Sequence, residues 1–253
     1  MQVVRNVGRV KAQQRRGRWL TAVGLVALTL AFVLGVVWQR KQVGLILVSY
    51  AAMATGFVLF NMGLQLVAKW GRKPRNDQQL DKALERMSDR YTLIHFAALG
   101  KRYPEHLLVH HSGVLVLTVR ELPGQISVNE RRWRRGGNPL GRFFSYSGPQ
   151  LGNPTLENEG DVETVKAYLA ERGLPDAVDS VIVFTNPTVT VRVTDSPVPV
   201  VDLDGLPAFV RDVGRERAQL SGKDRLAIVE ALSQGEDLEQ VTLRAERRPR
   251  RAA

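Results

Sequence analysis

Two long stretches without a charged residue limit what the first third of this chain can become. Trp19 to Trp38 is twenty residues long and Gln42 to Ala68 is twenty-seven, with only Gln39, Arg40 and Lys41 between them. Twenty helical residues span about 30 Å, the thickness of a bilayer's hydrocarbon core. Three intervening residues suffice only for the tight turn of a helical hairpin. A secretory signal would carry a shorter apolar region ending in a small-residue cleavage site, whereas this run ends in Trp38-Gln39-Arg40-Lys41. The pattern therefore predicts a basic N-terminus over 1–18 and transmembrane helices over 19–38 and 43–68.

Flanking charge sets the expected orientation. Arg5, Arg9, Lys11, Arg15, Arg16 and Arg18 precede the first span, and Lys69, Arg72, Lys73 and Arg75 follow the second, while the turn holds only Arg40 and Lys41. The positive-inside rule then puts both termini in the cytoplasm, with the protein in the plasma membrane, the inner membrane of a bacterium. Trp19, Trp38 and Trp70 fall at three of the four expected interfaces, where an amphipathic indole is favoured. Ala27, Ala31 and Gly35 on the first span and Ala52 and Gly56 on the second let helix backbones approach, within the hairpin or in self-association. Asn61 and Gln65 share a helix face and are placed to hydrogen-bond across the pair. A transport pathway would need more polar residues at depth than two spans supply.

The chain's net charge of +11 invites a nucleic-acid reading that its distribution removes. Residues 1–75 hold twelve Lys or Arg and no acid, leaving 24 basic against 25 acidic side chains in residues 76–253. The excess lies beside apolar segments rather than on a domain surface. With no cysteine, disulfides, thiolate nucleophiles and Cys-based zinc sites are excluded. The four histidines, His95, His106, His110 and His111, lie on two neighbouring strands whose alternation aligns at most two of them, fewer than a zinc site needs.

Beyond Pro74 the pattern changes to that of an α/β domain. Asn76 or Asp77 caps a helix running to about Arg90, followed by strands over 91–96, 107–110 and 114–119. The last is almost continuously apolar, as expected for a strand covered on both faces. Residues 125–128 and 132–134 read as an outer hairpin, 136–154 as a long Gly- and Pro-rich loop, and 155–172 as a helix. A buried strand at 180–184 and edge strands at 189–193 and 198–201 precede a helix at 206–213. Residues 214–243 form a C-terminal helical extension containing a helix at 223–232, and 244–253 an Arg-rich, disordered tail. Phosphate-binding loops, a nucleophile elbow, HExxH and a dinucleotide fingerprint are all missing.

Six phrases in order carry a resemblance: Glu105-His106-Leu107-Leu108-Val109, Ser112 to Leu117, Gly124-Gln125-Ile126 leading to Trp133, Asn153-Pro154, Val181 to Pro187, and Val198 to Val201 before Leu206. Over 76–213 the chain resembles the nuclease-related domain, NERD, a branch of the PD-(D/E)xK nuclease superfamily. The resemblance implies a restriction-endonuclease-like mixed sheet flanked by helices. It also implies a site in which an acid before one strand and a Glu-x-Lys on the next hold a divalent metal such as Mg²⁺ for phosphodiester cleavage, with a further Glu on the first helix.

Transferred position by position, that site is incomplete. The first acid is Glu105, but the Glu-x-Lys position reads Thr118-Val119-Arg120, and the first-helix position falls at Asp77 or Gln78. Arginine cannot give up a proton and does not replace lysine as an activator of water. Glu121 offers a relocated carboxylate only if a bulge turns it to the same face. The expectation is a membrane-anchored NERD-like module that is catalytically degenerate, holds no cofactor and acts by binding; the alternative is an active, membrane-tethered, metal-dependent DNA nuclease with its metal at Glu105. A second expectation concerns Arg131, Arg132, Trp133, Arg134 and Arg135, with Arg142, Phe143 and Phe144 nearby. This basic and aromatic hairpin is predicted to contact an anion, anionic lipid or nucleic acid.

Overall fold

A computed structural model describes residues 1–38, 43–100, 102–136, 150–216, 219–235 and 238–241. Two compact units emerge, one gathering Met1–Gly8 with the chain from Asn76 onward, the other built on residues 9–75.

The helical unit contains α1 (Val7–Trp38) and α2 (Val43–Gly71). The first helix starts twelve residues before the expected span, since the Gln, Arg, Lys and Ala residues that predominate ahead of Trp19 are good helix formers and no proline interrupts them, so that Gly8 and Gly17 are tolerated. Both helices are long and apolar enough to cross a membrane, and only 11% of each apolar window is buried, unlike the core helix of a soluble protein. The helices approach at glycines. A Cβ on Gly24 would lie 2.4 Å from the backbone N of Phe60, and one on Gly63 2.3 Å from that of Thr21. Ala27 faces Gly56 and Ala31 is buried, so part of the small-residue face is occupied within the hairpin. Asn61 Nδ2 donates to Phe57 O in its own helix.

The other unit is a mixed α/β structure. Its seven-stranded sheet is built from β1 (Gln2–Asn6), β2 (Thr92–His95), β3 (His106–His110), β4 (Gly113–Arg120), β7 (Val178–Phe184), β9 (Val200–Asp202) and β10 (Leu238–Val241), in the order β10-β1-β2-β3-β4-β7-β9. A three-stranded sheet of β5 (Gly124–Asn129), β6 (Arg132–Arg135) and β8 (Val189–Asp195) has the order β6-β5-β8. Thus 189–195 and 200–202 edge two different sheets.

Helices cover both faces of the larger sheet. On one, Leu80 and Leu84 of α3 (Asn76–Leu84) and Leu206 and Val210 of α5 (Leu206–Glu216) pack with Leu93, Leu108, Leu115, Leu117 and Val119. On the other, Val165 and Leu169 of α4 (Pro154–Ala170) and Ile228 and Leu232 of α6 (Gly222–Leu232) pack with Ile94, Leu107, Val109, Val114 and Val116. Burying two faces explains the nearly unbroken apolar run of β4, seven of whose eight residues are buried. The first helix stops at Leu84 rather than near Arg90; Met87 N bonds Leu84 O in a turn that leads to Ser88 and Asp89, poor helix formers.

The largest departure from the sequence reading is at the start of the chain. Gln2–Asn6, within the basic N-terminus expected over 1–18, is an interior strand of the sheet, parallel to β2 and antiparallel to β10. Val3 packs with one core layer and Val4 with the other. The extension after α5 contributes β10 as well as the helix α6. The proposed disordered tail, 244–253, and Arg142, Phe143 and Phe144 lie outside the described residues.

Candidate functional site

Register places Glu105 beside the strand positions that the resemblance singles out. Leu107 of β3 pairs with Val116 of β4, so Glu105, two residues earlier, is level with Thr118. Thr118 and Arg120 point away from the face that takes Leu117 and Val119, and α4 covers them. That helix starts where Asn153 caps it, its side chain accepting from Leu156 N, with Pro154 in the first turn. Helical spacing then turns Glu157 and Asp161 in one direction. A pocket results, lined by Arg102, Glu105, Thr118, Arg120, Glu157 and Asp161 among others.

Inside it Thr118 and Arg120 are tied to α4. Asn158 Nδ2 donates to Thr118 Oγ1 at 3.0 Å, and both side chains are buried. The Arg120 guanidinium pairs with Glu157 through Nη2, and donates from Nε to Leu151 O at 3.1 Å and from Nη1 to Val119 O at 3.0 Å. Arg102 Nη1 donates to Gly160 O at 3.2 Å. Burial, followed by the neighbouring Glu105, pushes the Asp161 carboxyl up from 3.8 to about 6; Glu157 adds to the rise, while Arg102 and Arg120 oppose it.

A divalent cation requires several converging oxygens. Glu157 is committed to Arg120 and Thr118 to Asn158, so the arrangement as it stands does not fit one. Asn158 Oδ1, buried without a hydrogen-bond partner among the described residues, is a neutral oxygen and not a carboxylate. Among the described residues no group of three or more His, Asp or Glu is disposed to hold a metal.

The other residues considered from the sequence lie elsewhere. Asp77 is on the opposite face of the sheet, its Oδ2 2.8 Å from Arg5 Nε, in a closed cluster. Arg5 also pairs with Asp81, whose Oδ1 is 2.9 Å from His95 Nε2, and His95 Nδ1 lies 2.8 Å from His106 Nδ1. Glu121 is past the end of β4 and does not line the pocket. His110 bonds Ser112 Oγ, and His111 bonds Gly214 O.

In the basic hairpin, Trp133 turns inward, its ring centroid 5.9 Å from that of Phe184 and its Nε1 donating to Thr155 Oγ1 at 2.8 Å. Arg131 pairs with Glu159 at 2.9 Å, and half-buried Arg135 reaches Pro123 O. Arg132 and Arg134 stay exposed.

Sequence reasoning passed over Glu157, Asn158 and Asp161. Their signal was the Asn153-Pro154 helix start followed by acids four residues apart, a spacing equally common on a solvated helix.

A family model described as nuclease-related domain, NERD, matches residues 73–185. No curated protein and no solved structure matches the chain. The matched span runs from just before α3 to just after β7 and contains both Glu105 and the α4 acids, whereas β1 falls outside it. Over residues 73–185 the chain is similar to the nuclease-related domain family.

Proposed function

We propose that this protein is a membrane-anchored NERD module of the PD-(D/E)xK type that has lost the nuclease reaction and acts by binding. The observation that carries the reading is the occupation of the central site. Where the superfamily places a metal-binding carboxylate and a lysine, Thr118 is hydrogen-bonded to Asn158 and Arg120 is clamped by Glu157 and two carbonyls. These three bonds fix the guanidinium in place, and a guanidinium does not exchange protons near neutral pH.

Strand pairing is compatible with a hairpin anchor whose ends lie on one side. The strand before α1 pairs with β2, which follows α2, so the two ends of the helical hairpin return to one sheet. If both helices cross the bilayer, the N-terminal strand and the α/β unit occupy the same side; the ten flanking basic residues against two in the turn make that side the cytoplasm.

One observation favours the rival reading of an active, metal-dependent nuclease. Three carboxylates, Glu105, Glu157 and Asp161, line the pocket, and Asp161 is pushed up to about 6 partly by the other two. Release of Glu157 from Arg120 would leave a relocated acidic set. The full chain in detergent, incubated with plasmid DNA and Mg²⁺ or Mn²⁺, decides between the readings. We expect no nicking; nicking that disappears in Glu105→Ala would overturn the binding-only reading.

A further inference from the structure

The outer face of the three-stranded sheet carries arginines from two strands that are distant in sequence. Ser127 of β5 pairs with Arg134 on β6 and with Arg192 on β8, so the three residues form one row across the sheet. Arg132 lies opposite Asn129 in the next row on this face, while Gln125 is opposite Thr190. Neighbouring strands are about 4.8 Å apart, which puts the Arg134 and Arg192 backbones about 10 Å from each other. All three arginines are exposed, and none forms an ion pair with a described carboxylate. Asp195 and Glu130 are the acids nearest in register, and both lie at the turn end of the sheet.

This face differs from the hairpin read off the sequence. Trp133, the one large aromatic, belongs to the inner face with Ile126, Val128 and Val191, packed into the core. Without it the outer face lacks a platform on which bases stack, the contact that most favours single strands. What remains is a sheet surface of short polar side chains, three guanidiniums and, across Asn129 from Arg132, the carboxylate of Asp195, with a positive excess complementary to phosphates arrayed on a surface.

We infer that the outer face of β6-β5-β8, through Arg132, Arg134 and Arg192, docks on anionic phospholipid headgroups of the membrane that holds the chain. The inference rests on the anchoring proposed above, which keeps headgroups at high local concentration around the α/β unit. A guanidinium that reaches such a surface strengthens attachment by about fivefold, and attachment is sensitive to salt.

The absence of cysteine from the chain gives a clean test. Full-length Ser127→Cys is reconstituted in nanodiscs of phosphatidylcholine alone or of phosphatidylcholine with phosphatidylglycerol, and its alkylation by a neutral maleimide is timed against Glu171→Cys, an exposed control site. We expect alkylation at position 127 to slow by about fivefold or more with phosphatidylglycerol, with the slowing lost in the Arg132→Gln, Arg134→Gln, Arg192→Gln form and at high salt. Equal rates in the two discs, or slowing that survives the triple substitution, would overturn the inference. Protection by a short oligonucleotide in neutral discs, with none from phosphatidylglycerol, would overturn it in favour of nucleic acid. Failure of the chain to remain in the discs would count against the anchor itself; a retained chain with equal rates sinks only the docking inference.

Discussion

Two polar clusters lie at the same end of the large sheet, on opposite faces, and they handle charge differently. Arg5, Asp77, Asp81, His95 and His106 are sealed between the sheet and α3, with Asp77 1% exposed and His95 fully buried. Glu105, Thr118, Arg120, Glu157 and Asp161 line an open pocket under the start of α4, where Glu157 is 56% exposed. A sealed carboxylate must keep its cation, since water cannot replace it. An open one can exchange partners, and only there can a ligand compete. The acid on α3, a metal-site candidate on the family pattern, has gone to the sealed side, where it is neutralised by a residue that precedes the two apolar helices.

The strongest way to break this contrast is to remove the sealed cation. Arg5→Met leaves two buried carboxylates facing each other and should cost about 3–5 kcal/mol, read as a large fall in the melting temperature of the full chain in detergent. A loss below about 1 kcal/mol, the level of an exposed pair, would mean that the cluster is not sealed.

A middling effect is expected at the boundary between pocket and core. Thr118→Val removes the acceptor for buried Asn158 Nδ2, and an orphaned buried donor costs about 1–3 kcal/mol. Thermal unfolding of this variant beside Thr118→Ser, which keeps the hydroxyl, isolates the bond; equal losses in the two would assign the cost to packing instead.

The smallest effect sharpens the contrast through pH. The folded structure holds the Asp161 carboxyl at about 6 against an ordinary value of 3.8, so it favours the protonated form. Below 3.8 the group is neutral whether folded or not and imposes no penalty; the penalty grows as pH rises between the two values and is complete above about 6. Asp161→Asn should therefore match the parent in stability at low pH and exceed it at pH 7 by on the order of 1 kcal/mol, less than the full shift implies because the pocket is open to water. A stability difference independent of pH would refute the assignment.

Legibility in the sequence followed the range of the forces involved. Strands β3, β4 and β7 announce themselves as apolar runs because both of their faces are buried, and α4 by its Asn153-Pro154 start. Gln2–Asn6 has only five residues and an arginine, and reads as a strand only once β2 and β10 flank it. Its partners lie ninety residues or more away in the chain, and no local pattern reports them. The pocket was half legible: Glu105, Thr118 and Arg120 were found through family phrases, whereas Glu157 and Asp161 look like ordinary helix-surface acids until α4 is laid over β4.

The hairpin makes the same division in small. Its five-residue basic run is visible in the sequence, but alternation across two more strands turns Trp133 inward, ties Arg131 to Glu159 and brings Arg192 beside Ser127. By itself the sequence determined the apolar helices, the covered strands and the Thr118-Val119-Arg120 sequence that ends β4, because hydropathy and residue chemistry are properties of neighbours in the chain. Only the tertiary structure decided that the first strand belongs to the sheet, which carboxylates share a pocket, and which arginines remain exposed. Those outcomes depend on non-local strand pairing and on which face a side chain occupies, and a one-residue change of register would reverse each of them.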